Sequence, residues 1–375
     1  MEKRKIVSLN AEVSLLGFGF MRLPTIEKDM AKIDYPKAQA MVDKAIKGGV
    51  NYFDTAYPYH NKMSEIFAGE TLSQYKRDSY YLATKLPVWE PFVKSADDSQ
   101  RIFEEQLKKC KVDYFDFYLA HGLNEERMPG LREKSYNFLR KKKEEGAIRR
   151  LGFSFHDRPD VINGILKDYE WDFAQIQLNY LDWETADAKY LYETLTEHNI
   201  PVVIMEPVKG GSLANLNQET MDIFKKADPG ASAASWALRY AASLPNAMTV
   251  LSGMNTIEQV DDNLKTFGAF KPLSDSERKV IDEAAAIYRS TGSIPCTGCR
   301  YCMDCPSGVD IPRIFAMYNH YLSNKVLISF SNQYRTMKKS EQAHNCTECG
   351  QCVKLCPQKI DIPAHFKEVI KVLAG

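Results

Sequence analysis

The chain has no net charge. Its 375 residues set 49 Lys and Arg against 49 Asp and Glu, so no overall field draws it to nucleic acid or to an acidic lipid surface. It also has no long apolar run: the basic opening MEKRK gives way to polar residues before any stretch of secretory length, and nothing later stays apolar for the roughly 20 residues that a bilayer-spanning helix needs. Nucleic acid and membrane are therefore not expected partners, and the expected location is cytoplasmic. Absent, too, is a GxGxxG turn after the first strand; Gly17 and Gly19 in GFGF are too closely spaced and no phosphate loop follows, which argues against an open, doubly wound dinucleotide fold. Cysteine is nearly missing before residue 290. Only Cys110 occurs there, on an amphipathic helical stretch that suits an ordinary core thiol. The other eight follow in CxxC steps, which in an intracellular chain point to metal or cluster ligation rather than disulfides.

What is present is a regular alternation of strand and helix patterns. Arg4 to Val7 and Glu12 to Leu16 read as a hairpin on the floor of a barrel, and Leu15 to Phe20 as its first strand. A helix over Pro36 to Lys47 stops at Gly48 and Gly49. Strands then run into Asp54, Lys85 (Tyr80 to Lys85) and His121 (Tyr114 to His121), separated by helices near Ser64 to Ser73 and Ser99 to Cys110. After a charged helix over Tyr136 to Glu145 come strands at Ile148 to Ser154, Phe173 to Gln177, Val202 to Met205 and Met248 to Leu251. Eight strands alternating with helices need crossover connections, so the expected fold is α/β, a (β/α)8 TIM barrel over residues 1–270. A linking helix over 271–289 and a small, mostly helical domain over 290–375 follow.

The stretch Asn51 to His60, NYFDTAYPYH, organises the expected site. A strand delivers the carboxylate of Asp54 and the loop after it a phenol, Tyr59, while Lys85 and His121 end the next two strands. Chemistry in such barrels sits on loops at the C-terminal ends of strands, so an acid, a phenol, an ammonium and an imidazole should converge. If such a site reduces a carbonyl, it must put a proton on oxygen as well as a hydride on carbon. A free tyrosine titrates near 10, a neighbouring ammonium favours its phenolate, and an Asp would hold that ammonium in place. Tyr59 is thus the expected proton donor, Lys85 its tuner, Asp54 the anchor of Lys85, and His121 a donor orienting the carbonyl oxygen. Tyr57 is a rival phenol.

FDTAxxY, then ATK, then a hydrophobic strand ending in His, resembles the aldo-keto reductase family, whose members set an Asp, Tyr, Lys and His tetrad beside a nicotinamide cofactor. The resemblance runs from about Leu15 to Leu264. The family spacing selects Tyr59 over Tyr57. It implies contacts to the nicotinamide amide from Ser154 and Gln177, and it puts Met205 where relatives often stack an aromatic on the ring. The loop SGMNTIEQVDDN implies a diphosphate and adenosine site with Ser252, Gly253 and Asn263, a suitable use of a helix start. Gly253 and Gln259 stand where a Lys and an Arg would meet a 2′-phosphate, which tilts the expected cofactor from NADPH to NADH.

The cysteines carry the sharpest local signal. Cys296, Cys299, Cys302 and Cys305 precede Pro306, and Cys346, Cys349, Cys352 and Cys356 precede Pro357. The second run, CxxCxxCxxxCP, matches the bacterial ferredoxin pattern, in which three cysteines bind one 4Fe-4S cluster and the fourth can ligate the other. The first run is one residue shorter, and an internal repeat explains it. Cys296, Cys299 and Cys302 precede their counterparts by 50, whereas Cys305, Pro306, Asp310, Pro312 and Phe315 precede theirs by 51. Two 4Fe-4S clusters are expected, one on Cys296, Cys299, Cys302 and Cys356, the other on Cys305, Cys346, Cys349 and Cys352. Tetrahedral zinc is the rival ligand chemistry. Helices should follow each run, over Arg313 to Tyr321 and Ala364 to Leu373.

Clusters move single electrons and nicotinamide moves a hydride, so joining them calls for a flavin or another converter, and no flavin signature is evident. Three readings stand. One is a carbonyl reductase, acting on a small carbonyl or alcohol, whose cluster domain is structural, regulatory or a dock for a redox protein. The second is a flavin-linked electron-transfer enzyme. The third is a non-catalytic redox-sensing barrel. Pocket walls are expected from the loops Pro87 to Asp98 and Asn124 to Arg132, with Trp89 and Phe92 among them.

Overall fold

Ten strands form the sheets of the computed structural model, which describes residues 1–374 apart from the side chains of Lys28 and Asn324. β1 (Lys3–Ile6) and β2 (Ala11–Ser14) pair antiparallel. The other eight close a parallel barrel: β3 (Leu16–Gly19), β4 (Tyr52–Asp54), β5 (Tyr81–Pro87), β6 (Phe117–Leu123), β7 (Leu151–Phe155), β8 (Phe173–Gln177), β9 (Val202–Met205) and β10 (Ala247–Ser252), with β10 returning to β3. Helices cover the outside of such a barrel and side chains fill the inside, so strands such as β6 are buried at every position. No helix among the described residues is long and apolar enough to cross a membrane.

Side chains alternate along a strand, and that period of two builds the site. Tyr52, Ala83, Phe117, Leu119, Phe173 and Val203 join one interior core with Leu9, Ala11 and Val13 of the hairpin, which stoppers the floor as expected. Full burial of each large side chain there contributes about 2 to 3 kcal/mol. The next inward positions toward the C-terminal ends are polar: Asp54 above Tyr52, Lys85 above Ala83, His121 above Leu119, Gln175 above Phe173. Two strands are shorter than the sequence pattern suggested. β6 starts at Phe117 because Asp116 is ion-paired to Arg77 at 2.6 Å and also accepts from the Leu82 amide at 2.9 Å; β7 starts at Leu151, after an isolated bridge between Phe115 and Ile148.

Behind β5 lies a buried polar knot. The Ser64–Leu72 helix packs so closely on the Ala96–Cys110 helix that a side chain on Gly69 would strike the Lys109 carbonyl. Glu65 on that helix is 0% exposed. It accepts from Thr84 Oγ1 at 2.7 Å and from Gln106 Nε2 at 2.5 Å, and Gln106 also donates to the Lys85 carbonyl at 3.1 Å. Burial outweighs those bonds and the charge of Lys109, and pushes the Glu65 carboxyl from 4.5 up to about 7. The fold therefore holds this proton more tightly than the unfolded chain. Its stabilising contribution is complete below about pH 4.5 and is lost as pH rises through 7. Glu65→Gln should accordingly gain on the order of 2 to 3 kcal/mol relative to wild type between pH 5 and pH 8, read from urea unfolding at each pH. An identical difference at both values would contradict the assignment.

Two compact units divide the chain: residues 1–207 with Ala237–Leu273, and Val208–Trp236 with everything from Ser274 on. In the second, the Asp275–Ser290 helix packs on the Gln218–Ala227 helix. The two helices expected after the cysteine runs are present and longer than expected, Ile311–Asn324 and Ile362–Ala374. Asp310 caps the first by accepting from Arg313 N, and Asp361 accepts from Ala364 N in the second, so each DIP triplet starts its helix at the same point. An additional helix, Leu327–Arg335, lies between the copies and sends Phe330 and Tyr334 into the core. The duplication extends to the backbone. Gly298 and Glu348, Arg300 and Gly350, and Gly308 and Lys359 are matched pairs, and all six residues have φ between 50° and 73°.

Candidate functional site

Three strand ends and one loop meet at the C-terminal end of the barrel. Lys85 Nζ donates to Asp54 Oδ1 at 2.6 Å and to the Thr55 carbonyl at 2.7 Å. The same nitrogen stands 5.0 Å from the centre of the Tyr59 ring, which meets His121 edge to face with centroids 5.9 Å apart. All four expected residues are thus together, Asp54, Lys85 and His121 buried and Tyr59 half-buried. Tyr57 is not among them. Its hydroxyl turns to Glu105 Oε2 at 2.9 Å, and its ring lies between Lys62 and Lys109.

The loop that carries Tyr59 is held under strain. His60, Asn61 and Lys62 all have left-handed backbone, with φ of 51°, 50° and 72°. Each such residue costs of order 1 to 2 kcal/mol outside glycine, and sequences retain them where surrounding contacts impose them. Here His60 is buried and its Nδ1 lies 3.0 Å from the Met30 carbonyl; burial lowers its basicity, so the neutral ring donates. Thr55 and Ser64 hydroxyls, 2.7 Å apart, tie the loop's two ends.

Burial pulls both members of the Asp54 and Lys85 pair toward their neutral forms, and each opposes that for the other. The 2.6 Å separation is that of a charge-assisted bond and a second acceptor serves the ammonium, so the pair is ionised. His121 is different. Burial first, then the charges of Lys85 and Arg127 and the His156 ring, hold it well below 6.5. It is a neutral imidazole at neutral pH, and its buried Nδ1 has no hydrogen-bond partner among the described residues.

The expected cofactor residues are more dispersed in their bonding. Ser154 Oγ accepts from the Gly122 amide at 2.7 Å, and Ser252 Oγ accepts from Asn263 at 2.9 Å. Gln177 Nε2 is taken up by Asp182 at 2.7 Å. Gln175, two residues earlier on the same face, leaves its buried carbonyl oxygen without a partner among the described residues and donates to Met205 Sδ at 3.4 Å. Gln175 was not anticipated, because a strand with glutamine at both inward positions gives no signal to separate them. Gln259 Oε1 accepts from the Asn255 amide at 2.8 Å, inside its own helix start. A Cβ on Gly253 would lie 3.0 Å from the Arg22 side chain, and Arg22 is ion-paired with Glu206 at 2.9 Å. Trp89, an expected wall, stands 5.3 Å from His121 and 5.7 Å from Phe92.

In the second unit the eight cysteines line two cavities. Cys296, Cys299, Cys302 and Cys356 line one with Phe315, Ile360 and Ile362; Cys305, Cys346, Cys349 and Cys352 line the other with Pro306 and Phe366, and Cys302 borders it. The thiols that act on Cys302 are Cys299, Cys296 and Cys356, and those that act on Cys352 are Cys346, Cys305 and Cys349. Both sets cross the repeat, in the pairing expected from the sequence. No disulfide involves any of them. No group of three or more Cys, His, Asp or Glu among the described residues closes around a single ion. Tetrahedral zinc needs four thiolates at about 2.3 Å from one centre, whereas a cubane fills a wider, apolar-walled cavity, so the residues present fit iron-sulfur clusters.

Known proteins agree with both halves. The family model described as aldo/keto reductase family matches residues 15–286, and that of the 4Fe-4S dicluster domain matches residues 295–361. The chain is 28% identical over 315 residues to the uncharacterized oxidoreductase YqkF of Bacillus subtilis, covering 75% of this chain and 95% of that one. It is 25% identical over 305 residues to L-galactose dehydrogenase of Arabidopsis thaliana, covering 76% and 94%. Among solved structures it is similar to the holo form of aldo-keto reductase AKR11C1 from Bacillus halodurans, at 27% identity and a TM-score of 0.63, over 76% of this chain and 96% of that one. The chain therefore belongs to the aldo/keto reductase family and is an NAD(P)-dependent oxidoreductase whose barrel is followed by a 4Fe-4S domain.

Proposed function

We propose that the barrel reduces a small aldehyde or ketone, or oxidises the matching alcohol, with Tyr59 as general acid, and that the cysteine-rich tail carries two 4Fe-4S clusters. The observation behind the first part is the Lys85 ammonium, bonded to Asp54 at 2.6 Å and 5.0 Å from the Tyr59 ring. A nicotinamide bound at the barrel mouth would supply the hydride. Tyr59 then gives its hydroxyl proton to the carbonyl oxygen, and the adjacent ammonium stabilises the phenolate left behind. Asp54 and the Thr55 carbonyl fix that ammonium in place. His121, kept neutral, offers the carbonyl oxygen a hydrogen bond and is a poor proton source, which leaves the acid role to Tyr59.

Ser154, Gln177, Met205, Ser252, Gly253, Gln259 and Asn263 are the proposed cofactor contacts, and Gln175 joins them through its unpartnered oxygen. NADH is favoured. Gln259 brings no charge, and the one guanidinium over Gly253, Arg22, is matched by Glu206. For the tail, the two cross-repeat quartets support one cluster each, serving structure, docking of a redox protein or electron transfer.

Anaerobically purified protein is expected to oxidise NADH with a simple aldehyde, faster than NADPH, and to release no flavin on denaturation. Stoichiometric flavin in the supernatant would favour a flavin-linked electron-transfer enzyme. Absence of cofactor oxidation across an aldehyde panel would sink the reductase reading.

A further inference from the structure

Across β5 from the tetrad lies a carboxyl that proton delivery does not use. Side chains alternate along that strand, so Lys85 points into the barrel toward Asp54 and Thr84 points out toward Glu65. Glu65, Thr84, Lys85, Gln106 and Tyr118 are all 0% exposed. Glu65 Oε1 accepts from Thr84 Oγ1 at 2.7 Å and from Gln106 Nε2 at 2.5 Å, whereas its Oε2 is buried with no partner among the described residues. An unbonded neutral O–H costs far less in such a place than an unbonded charged oxygen. The geometry thus suits a carboxyl that holds its proton, and burial lifting its titration to about 7 agrees with it. Tyr118 donates to Gln106 Oε1, which turns the amide nitrogen to Glu65 and to the Lys85 carbonyl at 3.1 Å. Glu65 is therefore one amide away from the backbone of the lysine whose ammonium Asp54 holds on the inner side.

The charged groups nearby are engaged elsewhere. On the Ala96–Cys110 helix, Lys109 acts on Glu65 but is bonded to Glu105 at 2.6 Å, and Glu105 acts in the opposite sense. Burial keeps the Cys110 thiol and the Tyr118 phenol protonated. Around the rest of the Glu65 helix, Tyr35 bonds Glu70, Arg22 pairs with Glu206 at 2.9 Å, His60 meets the Met30 carbonyl and Lys62 stands over the Tyr57 ring. Lys85 is the tetrad member that responds to Glu65. Burial draws Lys85 toward its neutral form, Asp54 opposes this most strongly, and Glu65 opposes it as well. The ammonium answers to carboxyls on both sides of its strand.

We propose that Glu65 is a positioning residue for the tetrad: once it has lost its proton it is a second buried carboxylate behind Lys85, offsets the field of the ammonium at Tyr59, and slows proton delivery to the carbonyl. The assignment rests on the reductase reading of Tyr59. A negative charge on Glu65 destabilises the phenolate that forms as Tyr59 gives up its proton, and with Glu65 and Lys85 at 0% exposure salt screens that charge only weakly. The sign is fixed by the proton. On the acid side of its titration Glu65 is neutral and Lys85 serves Tyr59 undivided; as the pH rises the carboxylate forms and reduction slows.

Two measurements on the full chain test this apart from the reductase reading. In the first, kcat for aldehyde reduction is followed from pH 5 to pH 8 in wild type and in Glu65→Gln, which keeps the shape of the carboxyl and cannot ionise. The ratio of variant to wild type should rise about threefold or more over that range, the order of magnitude for a buried unit charge acting across a strand. Thr84→Val removes a hydrogen bond that favours the carboxylate, so its loss of rate should move to higher pH than in wild type. A flat ratio in Glu65→Gln or an unmoved profile in Thr84→Val would each overturn the proposal. The second measurement needs no substrate. The tyrosinate absorbance that Tyr59→Phe abolishes is followed as the pH is raised, and it should appear at lower pH in Glu65→Gln than in wild type; an unshifted Tyr59 titration would overturn the proposal as well. The infrared carbonyl stretch that Glu65→Gln abolishes should be present at pH 5 and weaken by pH 8, and a band of constant strength would contradict it. A Tyr59 titration that follows Glu65 in a protein reducing no aldehyde would leave the coupling standing and remove the reductase reading alone.

Discussion

Replacing Tyr59 with phenylalanine is expected to lower kcat for carbonyl reduction by about 10²- to 10⁴-fold, the usual worth of a positioned general acid. The substitution deletes one oxygen atom at a half-buried ring, so its edge-to-face contact with His121 and the strained turn over His60 to Lys62 should survive, and cofactor affinity should change little. Tyr57→Phe is the matched control. That phenol bonds Glu105 on the outer side of the barrel and should cost some stability but no such loss of turnover. The chemistry makes the two outcomes sharply different: neutral His121 cannot replace the missing acid, and Lys85 is held by Asp54 and the Thr55 carbonyl. A Tyr59→Phe enzyme within a few-fold of wild type would mean that another group, or water, delivers the proton.

Removing iron should unfold the tail and spare the barrel. The cysteines line cavities walled by Ile311, Phe315, Ile360, Ile362 and Phe366, residues that otherwise form the tail's hydrophobic core. Without a cluster, eight polarisable thiols border two voids in a small domain, and metal-binding free energy then becomes folding free energy. Anaerobic chelation is therefore expected to make the segment after residue 290 sensitive to protease while the barrel's core strands stay protected. Cys302→Ala should be especially damaging, because Cys302 is the most buried of the eight and borders both cavities. Loss of about half of the iron or more is expected, since one of the two proposed cubanes would lose a ligand. Full iron content in Cys302→Ala, or a protease-resistant tail after chelation, would contradict the assignment.

The sequence was most readable where local chemistry and periodicity coincide. β4, β5 and β6 end at or just beyond Asp54, Lys85 and His121 because parallel strands are continuous buried runs that stop where the inward position turns polar. Family spacing separates Tyr59 from Tyr57, and the two rings differ in their surroundings: the Tyr59 ring lies 5.0 Å from Lys85 Nζ, whereas the Tyr57 hydroxyl bonds Glu105. The cysteine repeat was readable for a similar reason, as its ligand spacing is imposed by the short loops between thiols. Other features depend on contacts far apart in sequence. Nothing local reveals that Glu65 is enclosed by Thr84 and Gln106, or that Arg127 folds back on Gly122 and Trp89. Gln175 and Gln177 share a face, and only the neighbour Asp182 tells them apart.

The crossing of the cysteine quartets also bears on ancestry. Each copy of the repeat supplies three thiols to one cavity and its last to the other. A solitary ancestral copy would have carried two ligand sets, neither complete, and could have closed them only by meeting a twin. Fusing two copies replaced that encounter, whose frequency falls with dilution, by a tether whose effective concentration does not.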